Sequence, residues 1–377
     1  MKRALCVLIC LLLCPVFCLA VGAETYEEIP EGFRGFLDAL PDEIAELLPQ
    51  GFFSQEADDV ASTLSTFGTF PSILSYVKEL LQSFFGSLFG LFCELLGLLL
   101  LSKVLDDLGD TLSLSLGLAS AFGFLKRLLV VIFLLRFGYV SLARVTAYLS
   151  ALGRMTSAAI PLLGTLYALG GNVSAAVASS SGLSISLVLT ERLVGTTILP
   201  FCALCLGLSL VELFTPFSTK ALTDAIKKNY TTALSFLMVI LLALLGGQTT
   251  LGARADTLAA KGAKFAAGAM IPVAGGSISE LLLSVGAGVS YLRGVCGICG
   301  LLLLLLVLLP TLLQLFCHRL LWQVAEGVAD LFGCKEEKRL FSEFSSLCGY
   351  LVASLLICSS ALFLSFILVV GCAGAWG

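Results

Sequence analysis

Long apolar runs dominate this chain, and short stretches between them hold most of the charged residues. Two of the most apolar runs, at residues 301–310 and 351–370, show none of the apolar and polar alternation that is typical of a strand. A helix of about 20 apolar residues crosses a hydrocarbon core of about 30 Å. The pattern therefore predicts an all-α polytopic membrane protein.

The apolar runs predict about six full spans, joined by loops of unequal charge. The spans lie at residues 80–102, 128–147, 193–213, 231–250, 294–316 and 350–377. Residues 73–127 hold the first span and its loop, and the loops at 103–127, 215–229 and 317–349 carry clusters of lysine and arginine. Because basic loops stay on the cytoplasmic side, we expect these three loops to be cytoplasmic and the first span to run inward.

Two segments between the spans, residues 154–190 and 251–293, must cross the membrane either not at all or twice if the basic loops share one side. Each segment contains an Ile-Pro pair that is followed by glycine. The residues are Pro161 and Gly164 in the first segment, and Pro272, Gly275 and Gly276 in the second. This similarity predicts a weak internal duplication, with membrane repeat one at 128–213 and membrane repeat two at 231–316.

Both segments are expected to form re-entrant hairpins. Proline removes a backbone donor and glycine loosens a helix, so such a hairpin needs protein or water around its backbone. Ala259, Ala263 and Ala267 recur at every fourth position and predict a closely packed helix that leads into the second hairpin. The alternative is a surface helix and loop on the outer membrane face, amphipathic through Lys261 and Lys264.

The amino-terminal part of the chain differs from the rest. Residues 1–23 combine a basic start, a short apolar run and a small-residue ending, which predicts a signal peptide cleaved after Ala23. A retained first span is the alternative. Residues 24–72 carry eleven acidic side chains against the single Arg34 and are interrupted by prolines. They predict a small acidic extracytoplasmic segment.

Composition narrows the possible chemistry. Of the 377 residues, 58% are hydrophobic and 13% are charged, which excludes an ordinary soluble domain. Nothing in the sequence resembles a basic patch for nucleic acid. Most of the cysteines beyond the signal lie in apolar helix sequence, where cysteine behaves as a small hydrophobe.

No enzymatic, metal or cofactor chemistry is expected. The two Cys-x-x-Cys pairs, at residues 202–205 and 296–299, have no histidine or acidic residue nearby to complete a metal site. The sequence contains no catalytic motif that we can identify. Its one histidine, His318, stands beside Arg319 and is predicted to be a basic anchor at the membrane interface.

Two ionisable residues, Glu94 and Arg136, lie deep within predicted spans. Charges at this depth are expensive and need partners or water. The two side chains either pair between neighbouring antiparallel spans or line a polar conduit. The ionisable residues nearer the helix ends are expected to be interface anchors that reach water; they are Glu191, Arg192, Glu212, Glu280 and Arg293.

The predicted cytoplasmic segment at residues 317–349 carries apolar residues at helical spacing behind a cluster of charges. The apolar residues are Leu340, Phe341, Phe344 and Leu347. This pattern is typical of an amphipathic helix on the inner membrane face. Docking of a cytoplasmic partner is the alternative.

From about residue 70 to its end, the chain resembles the stage III sporulation protein AE family of endospore-forming bacteria. The resemblance is carried by IPLLGTLYALGGNVSAAVAS at residues 160–179 and, most distinctively, by the block from Gln248 to Gly276. It implies a multi-pass protein of the mother-cell membrane around the forespore. It also implies a permease-like role in a channel or secretion-like complex. The implied partners are membrane proteins of the same sporulation operon and a forespore membrane protein.

Two functions of different classes follow. One is an integral subunit of such an intercellular complex, required for forespore development. The other is an autonomous secondary transporter, with a solute site between the two broken hairpins. Glu94 is then the main candidate for ion coupling. The family has no established active site, so the resemblance transfers no catalytic residue.

Overall fold

The computed structural model describes residues 30–42, 50–67, 70–111, 116–169, 173–215, 218–270 and 275–373. The predicted signal peptide and the proline of the second hairpin, Pro272, lie outside the described residues. Every regular element in the described part is helical. The elements are α1 (Glu31–Asp38), a 3₁₀ helix (Gln50–Phe53), α2 (Ala57–Phe67), α3 (Phe70–Thr111), α4 (Leu116–Leu169), α5 (Val173–Thr190), a π-helical turn (Glu191–Gly195), α6 (Ile198–Phe214), α7 (Lys220–Met270), α8 (Gly275–Leu331) and α9 (Lys335–Ala373).

Within the described residues, six helical stretches are long and apolar enough to cross a membrane, and each contains most or all of one predicted span. They are Pro71–Leu108, Ala121–Ala168, Ala176–Phe214, Lys220–Leu244, Tyr291–Leu331 and Lys335–Val370. The predicted all-α polytopic membrane fold is confirmed. The helices form because their residues are mostly leucine, alanine and other good helix formers, whose backbone polar groups are satisfied within each helix.

An antiparallel hairpin of α8 and α9 lies at the centre of the bundle. In the most apolar stretch of each helix 67% of the residues are buried, against 11% in α3, which lies at the edge. Gly333 joins the two helices with a φ of 73°, a left-handed conformation that glycine adopts without strain. Its neighbour Cys334 donates to the Ala329 carbonyl at 2.9 Å and Gly333 donates to Asp330 at 3.1 Å, which closes the end of α8 as a Schellman motif.

The three loops predicted to be cytoplasmic meet at one end of the bundle, here called the charged end. Ion pairs there connect the α3–α4, α6–α7 and α8–α9 connections. The pairs are Lys103–Asp107, Lys126–Asp106, Lys126–Glu337, Arg127–Glu336, Lys227–Glu343, Lys338–Asp330 and Arg339–Glu212. The loops that the charge pattern assigns to one side of the membrane therefore lie on one side of the molecule.

The acidic segment packs at the opposite end. Its helix α1 lies so close to α4 that a Cβ at Gly32 would be 3.0 Å from Leu162 Cα. The rings of Phe36 and Phe366 meet edge to face, with centroids 5.3 Å apart. Phe366 lies about 44 Å along α9 from Glu337 of the charged end, at about 1.5 Å per residue. The acidic segment and the basic loops thus occupy opposite ends, as an extracytoplasmic and a cytoplasmic assignment require.

The predicted break at Pro161 is wrong, because α4 runs through this proline to Leu169. The helix loses the hydrogen bond that residue 161 would donate to the Ser157 carbonyl, a loss that membrane helices tolerate when neighbouring groups or local adjustment compensate. The chain reverses only after Leu169, and α5 returns antiparallel, with Ser180 Oγ 3.1 Å from where a Cβ at Gly164 would stand. The first segment is a long helical hairpin.

The second hairpin has a comparable outline in the described residues. Helix α7 continues to Met270 and α8 begins at Gly275, with Gly276 in its first turn. Ala259, Ala263 and Ala267 lie in α7, where the structure describes the helix and not the packing of these side chains. The first unit returns through α5, the π turn and α6, whereas the second returns through the single helix α8. The internal duplication stays a prediction.

Candidate functional site: a polar cleft beside a π turn

A cleft of about 760 Å³ opens between α4 and the junction of α5 with α6. Leu149 and Gly153 of α4 form one wall, Thr190 and Gly195 form the other, and Cys358 of α9 contributes to the lining. Ser150 in this wall lies about 36 Å from Lys126 of the charged end, at about 1.5 Å per residue. The cleft is therefore near the outer edge of a hydrocarbon core of about 30 Å.

Hydroxyl groups and one cation line the cleft. Thr146, Ser150, Thr156, Ser157, Thr190, Thr196 and Arg154 supply them. Thr156 Oγ1 donates to the Leu152 carbonyl at 2.7 Å and Thr190 Oγ1 donates to Ser186 at 2.8 Å, so their donors are used within their own helices. Their oxygen lone pairs remain able to accept hydrogen bonds. Apolar side chains also line the cleft, and Arg154 would favour an anionic group over a cationic one.

The π turn at Glu191–Gly195 shapes the second wall. A π turn inserts an extra residue into a helix and is frequent at functional sites. Here it separates α5 from α6, and α6 then packs Phe201 on the Tyr230 ring, with ring centroids 3.9 Å apart. The stacked rings and Tyr350 fix the position of the first turn of α6, which directly follows the π turn in the chain.

Arg293 is completely buried beyond the cleft, towards the outer end of the bundle. Its Nε donates to the Leu166 carbonyl at 2.7 Å and one terminal nitrogen donates to the Tyr167 carbonyl at 3.0 Å. Both carbonyls belong to the last turn of α4, which has no further helical donors and is the negative end of the helix dipole. The expected role of Arg293 as an anchor reaching water is wrong. The side chain caps α4 inside the protein.

At the charged end, Glu337 is only 2% exposed. Its Oε1 accepts from Lys126 Nζ at 3.1 Å and from the Ser102 hydroxyl. Burial raises the pKa of the neighbouring Cys334 thiol, and the Glu337 carboxylate acts in the same direction. Leu340, Phe341, Phe344 and Leu347 are all buried. The apolar face predicted for a membrane surface or a partner packs inside the bundle in this structure.

The structure does not bring Glu94 and Arg136 together. Both side chains are exposed on the outside of the bundle, and within the described residues neither forms an ion pair. The predicted pairing within one chain is therefore wrong. The reason is which face each helix turns toward the core. Helix α3 buries Leu95 and Leu99, and α4 buries Leu134, so Glu94 and Arg136 lie on the faces directed away from the core.

In the part of the chain that the structure describes, no group of three or more histidine, cysteine, aspartate or glutamate residues could hold a metal ion. His318, the predicted interface anchor, is half-buried and packs edge-on against Phe137, with ring centroids 4.8 Å apart. Cys202, Cys205, Cys296 and Cys299 are buried and do not form disulfides.

The cleft was not predicted from the sequence. Polar or small residues recur along one face of α4 at spacings of three and four, and this pattern was its available signal. They are Thr146, Ser150, Gly153, Arg154 and Ser157. The second wall has no comparable signal, because a π turn has no simple sequence pattern.

Comparison with protein families matches residues 62–374 to the family described as stage III sporulation protein AE. The matched region contains all six candidate spans and most of the α2 helix that precedes them. No curated protein and no solved structure matches the chain.

Proposed function

The chain belongs to the stage III sporulation protein AE family, and we propose that it is an integral membrane subunit of a sporulation-specific channel or secretion-like complex. In this proposal the complex links the mother cell and the forespore, and the chain lies in the mother-cell membrane around the forespore. The observation that carries the proposal is the extent of the family match, which covers the whole membrane region.

The packing of the bundle supports a subunit role. Apolar side chains of the α8–α9 hairpin fill its centre, among them Leu303, Leu304, Leu355 and Leu362, each 0% exposed. A centre packed in this way leaves no room for an aqueous path between these two helices. We propose that the conduit forms between this chain and its partners, which are membrane proteins of the same operon and a forespore membrane protein.

The second candidate is an autonomous secondary transporter with a permease-like cycle. The cleft favours it, because a pocket with one arginine and several hydroxyls suits a small polar solute. The position of Glu94 argues against it. A carboxylate that couples ion movement to transport is expected to face the bundle interior or a water-filled cavity, whereas Glu94 lies on the outer face of α3.

The test is capture of the tagged protein from sporulating cells after mild cross-linking, with an unrelated tagged six-span protein as control. If the chain is a subunit, other membrane proteins of the operon are expected to be enriched with the tagged chain and not with the control protein. Capture of the chain without them contradicts the proposal. A parallel assay replaces Arg154 with Gln. If this variant still captures the whole complex but forespore development is lost, the cleft acts within the assembly. Solute uptake by the purified wild-type protein in vesicles would support the transporter instead.

A further inference from the structure

Helices α3 and α4 each carry a charged side chain, far from the charged end, on a face directed away from the bundle. On α3 the buried positions include Leu95 and Leu99, and Glu94 is exposed. On α4 the buried positions include Leu134, and Arg136 is exposed on the opposite face. Both charges lie within apolar stretches that are long enough to cross a membrane.

The two charges lie at the same depth. The Lys126–Asp106 ion pair, at 2.7 Å, fixes α3 and α4 relative to each other at the charged end. Glu94 precedes Asp106 by twelve residues and Arg136 follows Lys126 by ten, which places them about 18 Å and about 15 Å from that pair. Each is near the middle of a core of about 30 Å, where a charge facing lipid is unfavourable.

The exposed surface of α3 around Glu94 contains three glycines. Gly86, Gly90 and Gly97 lie on the same face of α3, and a Cβ added at any of them would meet no atom within 4 Å. Glycines spaced by four allow the backbone of a second helix to approach closely. Around Arg136, the exposed neighbours on α4 are larger, with Ile132 57% exposed and Tyr139 77% exposed. The α3 surface therefore has small residues beside its charge, the α4 surface has large residues beside its charge, and the two charges are opposite.

We propose that Glu94 of one copy pairs with Arg136 of a neighbouring copy in the membrane. The glycine face of α3 then receives the Ile132 and Tyr139 face of α4, and each charge gains its partner away from lipid. Contacts between two unlike faces close either as a two-fold dimer with two such pairs or as a ring. The proposal does not rest on the channel assignment, since it needs only membrane insertion.

The first experiment is co-expression of two differently tagged copies in a non-sporulating bacterial host, followed by capture in a mild detergent. Wild-type copies are expected to capture each other. Glu94→Arg alone and Arg136→Glu alone are each expected to lower capture of their own kind at least tenfold. When the two variants are co-expressed, every contact between unlike copies regains an opposite-charge pair. Capture between the two variants is therefore expected to return.

This design separates the possible pairings. Restoration only when both substitutions are in one chain, with no restoration by mixing, places the pair within a chain and overturns the proposal. Unchanged capture in the single variants also overturns the proposal. Absence of capture between wild-type copies overturns it too, and would mean that these faces contact a different subunit or lipid. Because the host lacks the sporulation complex, failure here does not contradict the proposed function, which is tested by capture of the other operon proteins.

A second measurement needs no charge change. Cys93 is exposed beside Glu94 and serves as a native probe. In a variant whose other cysteines are replaced, Ile132→Cys is expected to form cross-linked dimers or a ladder with a short bifunctional maleimide. The matched control is Phe236→Cys on α7, where Phe236 is 67% exposed against 57% for Ile132, and this variant is expected to form none. Equal cross-linking of both variants, or of neither, overturns the proposal.

Discussion

Arg293 and Leu166 connect the second hairpin to the first: the Arg293 Nε on α8 donates to the Leu166 carbonyl in the last turn of α4 at 2.7 Å. The guanidinium is buried, and its second hydrogen bond goes to the next carbonyl along the chain, that of Tyr167. A cation at this position also opposes the negative end of the helix dipole. The carboxyl end of α4 is therefore fixed by a residue far away in sequence.

Arg293→Met is expected to lower the free energy of unfolding by about 2–4 kcal/mol, because two buried carbonyls lose a charged donor. Arg293→Lys keeps the charge with a different donor geometry and is expected to lose less. The measurement is an unfolding titration of the purified protein in detergent micelles. Equal stability of wild type and the Met variant would show that other groups satisfy the end of α4.

Gly32→Ala is expected to displace α1 from α4. Its new Cβ would lie 3.0 Å from Leu162 Cα, and a backbone atom cannot move aside as a flexible side chain can. The expected loss is about 1–3 kcal/mol, read as faster proteolysis of the acidic segment. Gly35→Ala on the same helix is the control, because a Cβ there would meet nothing within 4 Å. Similar proteolysis of both variants would contradict the packing described here.

Gly300→Ala is expected to separate α8 from α9. Its Cβ would lie 2.4 Å from a ring carbon of Phe366, which Phe36 holds from another side. The expected loss of stability is about 1–3 kcal/mol, measured as a lower thermal unfolding temperature in detergent. Adding Phe366→Leu is expected to recover part of it. Gly294→Ala is the matched control, since its Cβ would be in open space, and an equal loss there would argue against the close contact.

Glu337→Gln is expected to destabilise the charged end more than Glu336→Gln. Glu337 is buried and accepts from Lys126 and Ser102, so loss of its charge leaves Asp106 as the remaining carboxylate of Lys126 and costs about 1–3 kcal/mol. Glu336 pairs with Arg127 at the surface, where both side chains are well exposed, and such pairs contribute about 0–1 kcal/mol. Parallel unfolding titrations of the two variants check this order, and the reverse order would exclude a structural role for Glu337.

The spans and their grouping were predictable because both depend on local composition. A run of apolar residues specifies a span, and clusters of lysine and arginine specify which loops share a side. The continuity of α4 through Pro161 was not predictable, because proline is compatible with a helix only when neighbouring groups compensate for one missing hydrogen bond. The sequence alone cannot show whether they do.

The charged residues show the same limit. Arg293 was expected to reach water, since its position near a helix end is all that the sequence reveals. Its actual partners are carbonyls of α4, more than a hundred residues earlier. Glu94 and Arg136 are exposed because the opposite faces of α3 and α4 pack towards the core. The choice of these faces is made by packing of the whole bundle.

The two most buried helices, α8 and α9, are joined at Gly333 and follow α3 to α7 in the sequence. A ribosome makes α3 to α7 first, so these helices enter the membrane before the hairpin that they surround exists. Until α9 is complete, their inward faces have only lipid or chaperones to contact. A chain truncated after residue 331 is therefore expected to insert and then be degraded, and pulse labelling followed by a chase measures its lifetime. Survival of that fragment as long as the full chain would show that α3 to α8 are stable without α9.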